Sequence, residues 1–300
     1  MTLSQLNQIS DLLRDSPLDL GGDVGKMRRI FDEMLGSAPL PDDVRTETTE
    51  LGGVPVVEVR AGATDPAAAT VLYFHGGAYA IGSADASVGP VSEIARRTAA
   101  TAYSVDYRLA PEHPFPAAVH DALAAYRALL DRGVPAGSVA VTGESAGGGL
   151  ALALLLAIRD AGLPQPSSAT VLSPWTDLTQ SGGTVASRAD EDPALSRRAL
   201  DTRAADYLDG ADPRTPLASP LHADLRGLPP LLIQAGGREI LLDDALRLAT
   251  RAAHADVPVV LRTFPGAPHV FQGFASVVEE AALALDQVAA FITDHARPEH

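Results

Sequence analysis

The chain contains no cysteine among its 300 residues. That absence removes disulfides, thiolate metal sites and a cysteine nucleophile together, and it leaves the redox compartment open. Nor is there an apolar run of the about 18 residues that a membrane-spanning helix needs; the longest, around 146–158, fits a buried helix. The first residues lack the basic stretch, apolar segment and small-residue cleavage site of a secretory signal, so a cytoplasmic protein that does not enter a membrane is expected. Basic residues are scarce: 23 Lys and Arg face 38 Asp and Glu, a net charge of −15. A nucleic-acid partner is therefore not expected, because displacing counterions from a polyanion requires clustered positive charge. The remaining composition, 46% hydrophobic and 20% charged, is that of a soluble globular protein. Its length suffices for one large α/β domain or two small ones.

From about residue 54 onward, strand-like runs alternate with helix-like runs. The strands are expected at 54–60, 70–74, 101–105, 139–142, 170–173, 231–235 and 259–264, with helices at 88–100, 117–132 and 242–255 between them. Such alternation implies a mostly parallel sheet covered by helices on both faces. Two segments interrupt it. Residues 1–36 carry Leu3, Leu6, Ile9 and Leu13, then Met27, Ile30, Phe31 and Met34, at helical spacing before any strand. Residues 176–224 are polar and rich in Gly, Pro and Asp, with one weakly helical piece near 194–208. A strand-poor insertion of that length reads as a lid over a site, and otherwise as a loosely packed surface excursion.

The sharpest local signal is Gly143-Glu144-Ser145-Ala146-Gly147. It stands between the strand ending at Thr142 and the apolar run Leu150 to Ile158, the strand-turn-helix setting in which G-x-S-x-G presents a serine hydroxyl as a nucleophile. Such a serine needs a base, an acid to orient that base, and donors for the developing oxyanion. In a parallel sheet these groups belong just beyond the carboxyl ends of strands. Directly after residues 70–74 stands His75-Gly76-Gly77-Ala78-Tyr79, whose small residues leave backbone N–H groups uncovered; Ala146, after the serine, offers another.

Of the eight histidines, His113, His120, His222, His254, His295 and His300 fall in helices, the insertion or the tail, where a solvated surface role is expected for most. His75 belongs to the glycine-rich loop and braces it. His269 follows the last strand and precedes a helix with Val278, Leu285, Val288 and Ile292 on one face, which is the place for the base. The acid should follow the strand 231–235, where Glu239, Asp243 and Asp244 are available. The two aspartates stand where a helix should begin, and carboxylates there commonly cap it. Glu239 lies in the loop itself and is favoured. The order serine, acid, histidine is that of α/β-hydrolases.

With His75-Gly76-Gly77 and "GESAGG", the run "YRLAPEHPFPAA" at 107–118 and "SPWTDL" at 173–178 make the chain resemble the bacterial hormone-sensitive lipase-like carboxylesterases, over nearly its whole length. The resemblance implies one α/β-hydrolase domain with an eight-stranded, mostly parallel sheet and a helical cap. Its parts would be N-terminal cap helices in 1–40, core in 41–175, a cap insertion in 176–224 and core again in 225–300. It implies hydrolysis of short- to medium-chain esters without cofactor or metal, with Ser145 as nucleophile, Glu239 as acid and His269 as base. The oxyanion hole would use the Gly77, Ala78 and Ala146 amides, with Gly76 shaping the loop. A lactone hydrolase on the same triad is the nearest alternative, and a binding protein on the same fold a more distant one. A homodimer through edge strands is also implied. The chain departs from the family pattern twice, with Ala78 where a third glycine is usual and Glu239 where an aspartate is usual. Alanine keeps the donor if its φ suits a side chain.

Overall fold

The computed structural model describes residues 2–36, 40–65 and 68–296. His300 and the ends of the expected 1–40 and 225–300 segments lie outside the described residues. Two helices come first, α1 (Thr2–Arg14) and α2 (Val24–Gly36). Eight strands follow: β1 (Val44–Leu51), β2 (Val54–Ala61), β3 (Thr70–Phe74), β4 (Thr101–Val105), β5 (Val139–Glu144), β6 (Ser168–Leu172), β7 (Leu231–Gly236) and β8 (Val259–Phe264). They form one sheet in the order β1-β2-β4-β3-β5-β6-β7-β8. β2 is antiparallel to both neighbours, while every pairing from β4 across to β8 is parallel.

The seven strands expected from the sequence are present. β1 is the addition. Its sequence, Val-Arg-Thr-Glu-Thr-Thr-Glu-Leu, places only Leu51 in the core. At the sheet edge both faces meet water, so no alternation of apolar and polar residues marks it. Its hairpin turns on Gly52 and Gly53, both at positive φ (63° and 79°), the geometry of the two-residue turn that follows strand twist.

Alternation along the central strands divides the core into two layers. Val57, Val59, Val71 and Tyr73 point to one face. There they meet α3 (Val88–Thr98), through Val88, Val91 and Ile94, and the C-terminal helix (Glu279–His295), through Leu285, Val288 and Ile292. Val56, Leu72, Phe74, Val141 and Ile233 point the other way, toward α4 (Ala117–Asp131), α5 (Ala146–Asp160) and the helix Leu242–His254. α5 is buried without a break from Ala146 to Ile158. A helix apolar all round belongs at the centre of a large core, which is why its sequence shows no amphipathic period.

The insertion contains α6 (Thr184–Ser187), α7 (Arg197–Leu208) and a turn of 3₁₀ helix at Pro220–His222; numbering on, Leu242–His254 is α8 and Glu279–His295 is α9. It is not a loose excursion. Leu195, Leu200, Ala204, Tyr207, Leu208 and Leu221 join the main core, and Ser196 caps α7 by accepting from the Ala199 N–H. Its base is clamped from α8, where the buried Asp244 accepts from the Thr176 and Asp177 N–H groups at 2.7 and 2.9 Å. No helix among the described residues is long and apolar enough to cross a membrane.

Candidate active site

The loops that follow β3, β5, β6, β7 and β8 meet at the carboxyl edge of the parallel strands. Ser145 stands between β5 and α5 at φ 52° and ψ −121°, a conformation that non-glycine residues adopt only when their surroundings impose it. Those surroundings are backbone. The Ser145 N–H donates to Leu172 O at 2.9 Å, and its carbonyl accepts from Gly149 and Trp175. The flanking glycines allow the approach: a Cβ on Gly143 would lie 2.2 Å from Gly147 O, and one on Gly147 would lie 2.1 Å from Phe74 O.

Ser145 Oγ lies 2.9 Å from His269 Nε2, and His269 Nδ1 lies 2.6 Å from Glu239 Oε2. Glu239 is fully buried. Its other oxygen accepts from Ser173 Oγ at 2.9 Å and from the Gly236 N–H. Burial disfavours the imidazolium of His269, but the hydrogen bond and charge of Glu239 outweigh it. Asp192 and Glu144 add to the effect, and the net result is a pKa raised above the ordinary histidine value. In the neutral ring the carboxylate favours the tautomer with its proton on Nδ1, which leaves Nε2 an acceptor facing Ser145 Oγ.

The glycine-rich loop lies against this serine, since a Cβ on Gly76 would be 3.4 Å from Ser145 Cβ. The Gly76 N–H is taken by Glu144 Oε1 at 3.3 Å, so its amide is engaged and Gly76 contributes shape. By contrast, no acceptor among the described residues receives a hydrogen bond from the N–H of Gly77, Ala78 or Ala146. Bare donors of this kind, one next to Ser145 in sequence and two in the loop against it, are an arrangement able to bind a developing oxyanion. Ala78 has φ 52° and Tyr79 φ 61°. The proviso on Ala78 is thus met only in the left-handed region, where a Cβ is tolerated at a cost of about 1 kcal/mol. His75 braces the loop: it is buried and stacked on Tyr107 at 4.3 Å, and its Nδ1 lies 2.6 Å from Gly76 O. Burial lowers its pKa and keeps it neutral.

The two aspartates of the acid loop do not cap α8. Its N-cap is Leu241, without a side-chain cap bond. Asp243 Oδ2 instead accepts from the Thr184 N–H at 3.1 Å, and Asp244 holds Thr176 and Asp177. Both tether the insertion through its backbone donors. His222 is likewise no free surface residue, with Nε2 at 3.1 Å from the buried Asp177.

Several participants carried no sequence signal as such. Ser173 links Glu239 to the Val270 N–H, on which its Oγ accepts at 3.1 Å; it opens "SPWTDL", but nothing in that run distinguishes its hydroxyl. Asp192, in the insertion, accepts from the Ile240 N–H at 2.8 Å beside Glu239.

The model of the alpha/beta hydrolase fold family matches residues 71–273. An acetyl-hydrolase of Streptomyces hygroscopicus is 46% identical over 223 residues, covering 74% of this chain and 75% of that protein. An esterase of Acinetobacter venetianus is 36% identical over 268 residues, covering 89% of this chain and 88% of its own length. A crystal structure of an esterase from the bacterial hormone-sensitive lipase family superposes with a TM-score of 0.94 at 41% identity, over 98% of this chain and 99% of that one. EstE5, whose crystals were soaked with p-nitrophenyl butyrate, gives 0.92 at 38% identity, over 97% of this chain and 98% of that one. The chain belongs to the α/β-hydrolase fold and, within it, to the bacterial hormone-sensitive lipase family of esterases. It is a carboxylic ester hydrolase.

Proposed function

We propose that the protein hydrolyses short- to medium-chain carboxylic esters through an acyl-enzyme on Ser145, with His269 as general base and acid and Glu239 as its orienting carboxylate. The observation that carries this reading is the continuous chain Ser145–His269–Glu239, at 2.9 and 2.6 Å, beside three unpartnered amides. His269 Nε2 takes the Ser145 proton as Oγ bonds to the ester carbonyl carbon, and the carbonyl electron pair moves onto oxygen. The Gly77, Ala78 and Ala146 N–H groups bind that oxyanion, an effect of about 3 kcal/mol per donor in comparable hydrolases. Collapse breaks the bond to the alcohol oxygen, which leaves with the proton from His269. Water then repeats the sequence on the acyl-enzyme and releases the acid.

The short acyl preference is supported by the cap. Leu6 and Ile9 of α1 form one apolar cluster with Ala267 and Phe271, which flank His269, and Met27 of α2 packs with Ala80 and Ile81 beyond the glycine-rich loop. Tyr207 of the insertion stacks on Tyr79 at 3.8 Å. We read residues 1–40 and 176–224 as the two halves of this cap. The name of the Streptomyces relative, an acetyl-hydrolase, favours acyclic esters over the lactone alternative. A homodimer is supported by β8, the edge strand of the sheet opposite β1, with Val260 39% exposed and one side of its backbone unpaired by the sheet. Light scattering at micromolar concentration tests that.

The test of the reaction is hydrolysis of p-nitrophenyl esters graded by acyl length, with lactones in the same series. Activity is expected on two to eight carbons, and Ser145→Ala should reduce it to background. Retention of a substantial rate by Ser145→Ala, or faster turnover of emulsified long-chain esters, contradicts the proposal.

A further inference from the structure

Arg28 sits on α2, far in sequence from the reaction centre, yet its guanidinium reaches the segment that carries the unpartnered amides. Nε donates to Ala80 O at 2.8 Å, and Nη2 donates to Ala110 O at 2.9 Å. Nη1 and Nη2 also form a bidentate pair with Glu112 at 2.8 and 2.7 Å. Ala110 completes the link by donating its N–H to Tyr79 O at 2.8 Å, while the Ala80 and Ile81 N–H groups turn back on Gly77 O, each at 3.0 Å. The carbonyls of Gly77, Tyr79 and Ala80 are thus all engaged, in the same short loop that carries the Gly77 and Ala78 amides. This matters because Ala78 and Tyr79 are consecutive non-glycine residues at positive φ. A backbone held in so sparsely populated a region persists only where neighbours over-determine it.

The ion pair with Glu112 is not what gives Arg28 its weight. The Glu112 side chain is 55% exposed, and exposed pairs contribute little. The two carbonyl bonds cross from the N-terminal helix to two other segments, and a planar guanidinium makes them from two nitrogens held in a fixed fork, whereas an ammonium must donate from a single nitrogen on a flexible stem. The turn just before that helix, at residues 19–22, is fixed to the insertion. Arg198 Nη2 donates to Asp19 at 2.6 Å, and Arg203 Nη2 donates to Gly22 O at 3.2 Å.

We propose that Arg28 is a positioning residue for ester hydrolysis, bridging the Ala80 and Ala110 carbonyls so that the Gly77 and Ala78 amides stay aimed at the oxyanion. The inference rests on the reading of Ser145 and the oxyanion hole given above. Donors fixed in advance of the reaction stabilise the transition state more than the ground state, so loosening them lowers kcat and leaves substrate binding nearly unchanged.

The test is Arg28→Met, which keeps the apolar stem and removes every donor. With active sites counted by a phosphonate titrant, kcat on p-nitrophenyl butyrate should fall about tenfold while KM changes less than about twofold. Affinity for a trifluoromethyl ketone, which forms an oxyanion on the serine, should fall in proportion to kcat/KM. Glu112→Gln, which weakens the ion pair and spares both carbonyl bonds, should stay within about twofold of the parent. An unchanged kcat per titrated site in Arg28→Met overturns the proposal, as does an equal fall in Glu112→Gln. Should Arg28→Met not fold, Arg28→Lys is read in the same assay: an intermediate loss supports the bridge and an unchanged rate overturns it. Ser145→Ala in the same series separates the two readings, since activity surviving there defeats the mechanism itself, whatever Arg28 does.

Discussion

Within the candidate site the Ser145 turn is fixed by backbone packed on backbone, whereas the loop at 75–82, though it has backbone bonds of its own, is held in addition by side chains reaching in from elsewhere. At the turn, Gly147 lies so close to β3 that a single methyl would collide with two carbonyls, Phe74 O and His75 O. At the loop, Glu144, Tyr107, Arg28 and Tyr207 hold a stretch that already tolerates a methyl on Ala78 in a left-handed conformation. The difference follows from what each must deliver. The turn sets one hydroxyl against one imidazole and gains from having no freedom. The loop must keep amides bare, and while its Gly77 carbonyl is engaged from within, those of Tyr79 and Ala80 are engaged from outside by the Ala110 N–H and Arg28.

The acid loop belongs with the second kind, and it gives the largest expected effect. Glu239→Gln should lower kcat by about 10⁴, as loss of the equivalent group does in a serine protease, because an amide that donates to Nδ1 favours the wrong tautomer. Asp243→Asn should change kcat by less than about threefold, since Asp243 holds the Thr184 N–H, while the ring nitrogens of His269 face Glu239 and Ser145. Rates for both variants, with circular dichroism to confirm folding, decide the assignment. A collapse confined to Asp243→Asn would transfer the role of acid and leave Glu239 a loop residue.

The backbone-held turn is tested next. Gly147→Ala should destabilise the protein by more than about 3 kcal/mol or prevent folding, because the atoms met at 2.1 and 2.4 Å are main-chain carbonyls that cannot swing aside. Urea unfolding measures it. Near-parental stability would mean that β3 and α5 can separate, and the contrast between the two loops would fail.

A smaller effect concerns pH. The proposed reaction needs His269 neutral, so kcat/KM should rise with pH through its pKa, which Glu239, Asp192 and Glu144 hold above the ordinary value against the effect of burial. Removing a negative charge makes the imidazolium less favourable and lowers that pKa. The acidic limb of the profile for Asp192→Asn should therefore move to lower pH while the plateau rate stays similar. No movement, or movement upward, would show that Asp192 only anchors the insertion through the Ile240 N–H.

The same division explains what could be read before the fold was known. Gly143 and Gly147 had to be glycines for steric reasons close to the serine in sequence, so the turn announced itself in five residues. The strands with one or two buried faces were legible from their apolar pattern, while β1 was not, having little apolar surface to bury. Glu239 could be preferred over Asp243 only through its place in the loop, and the tether from Asp243 to Thr184, 59 positions away, had no local sign. Arg28 was hidden for the same reason. On α2 it resembles any charge on the polar face of an amphipathic helix, and its two carbonyl partners lie 52 and 82 positions further on.

The smallest effect completes the comparison by making the reverse change at the side-chain-held loop. Ala78→Gly relieves a left-handed conformation that costs alanine about 1 kcal/mol, and it adds about 0.5–1 kcal/mol of chain entropy to be lost on folding. The two nearly cancel, so stability should change by less than about 1 kcal/mol. The donor N–H is retained, so kcat should stay within about threefold as long as the carbonyls of Tyr79 and Ala80 remain engaged. Urea unfolding and p-nitrophenyl butyrate turnover read both. One methyl would then be nearly neutral at residue 78 and ruinous at residue 147, as expected if outside contacts hold the first site and backbone contact the second. A tenfold loss of kcat in Ala78→Gly would show instead that the alanine stiffens the loop from within, and that the outer contacts alone do not keep its amides in place.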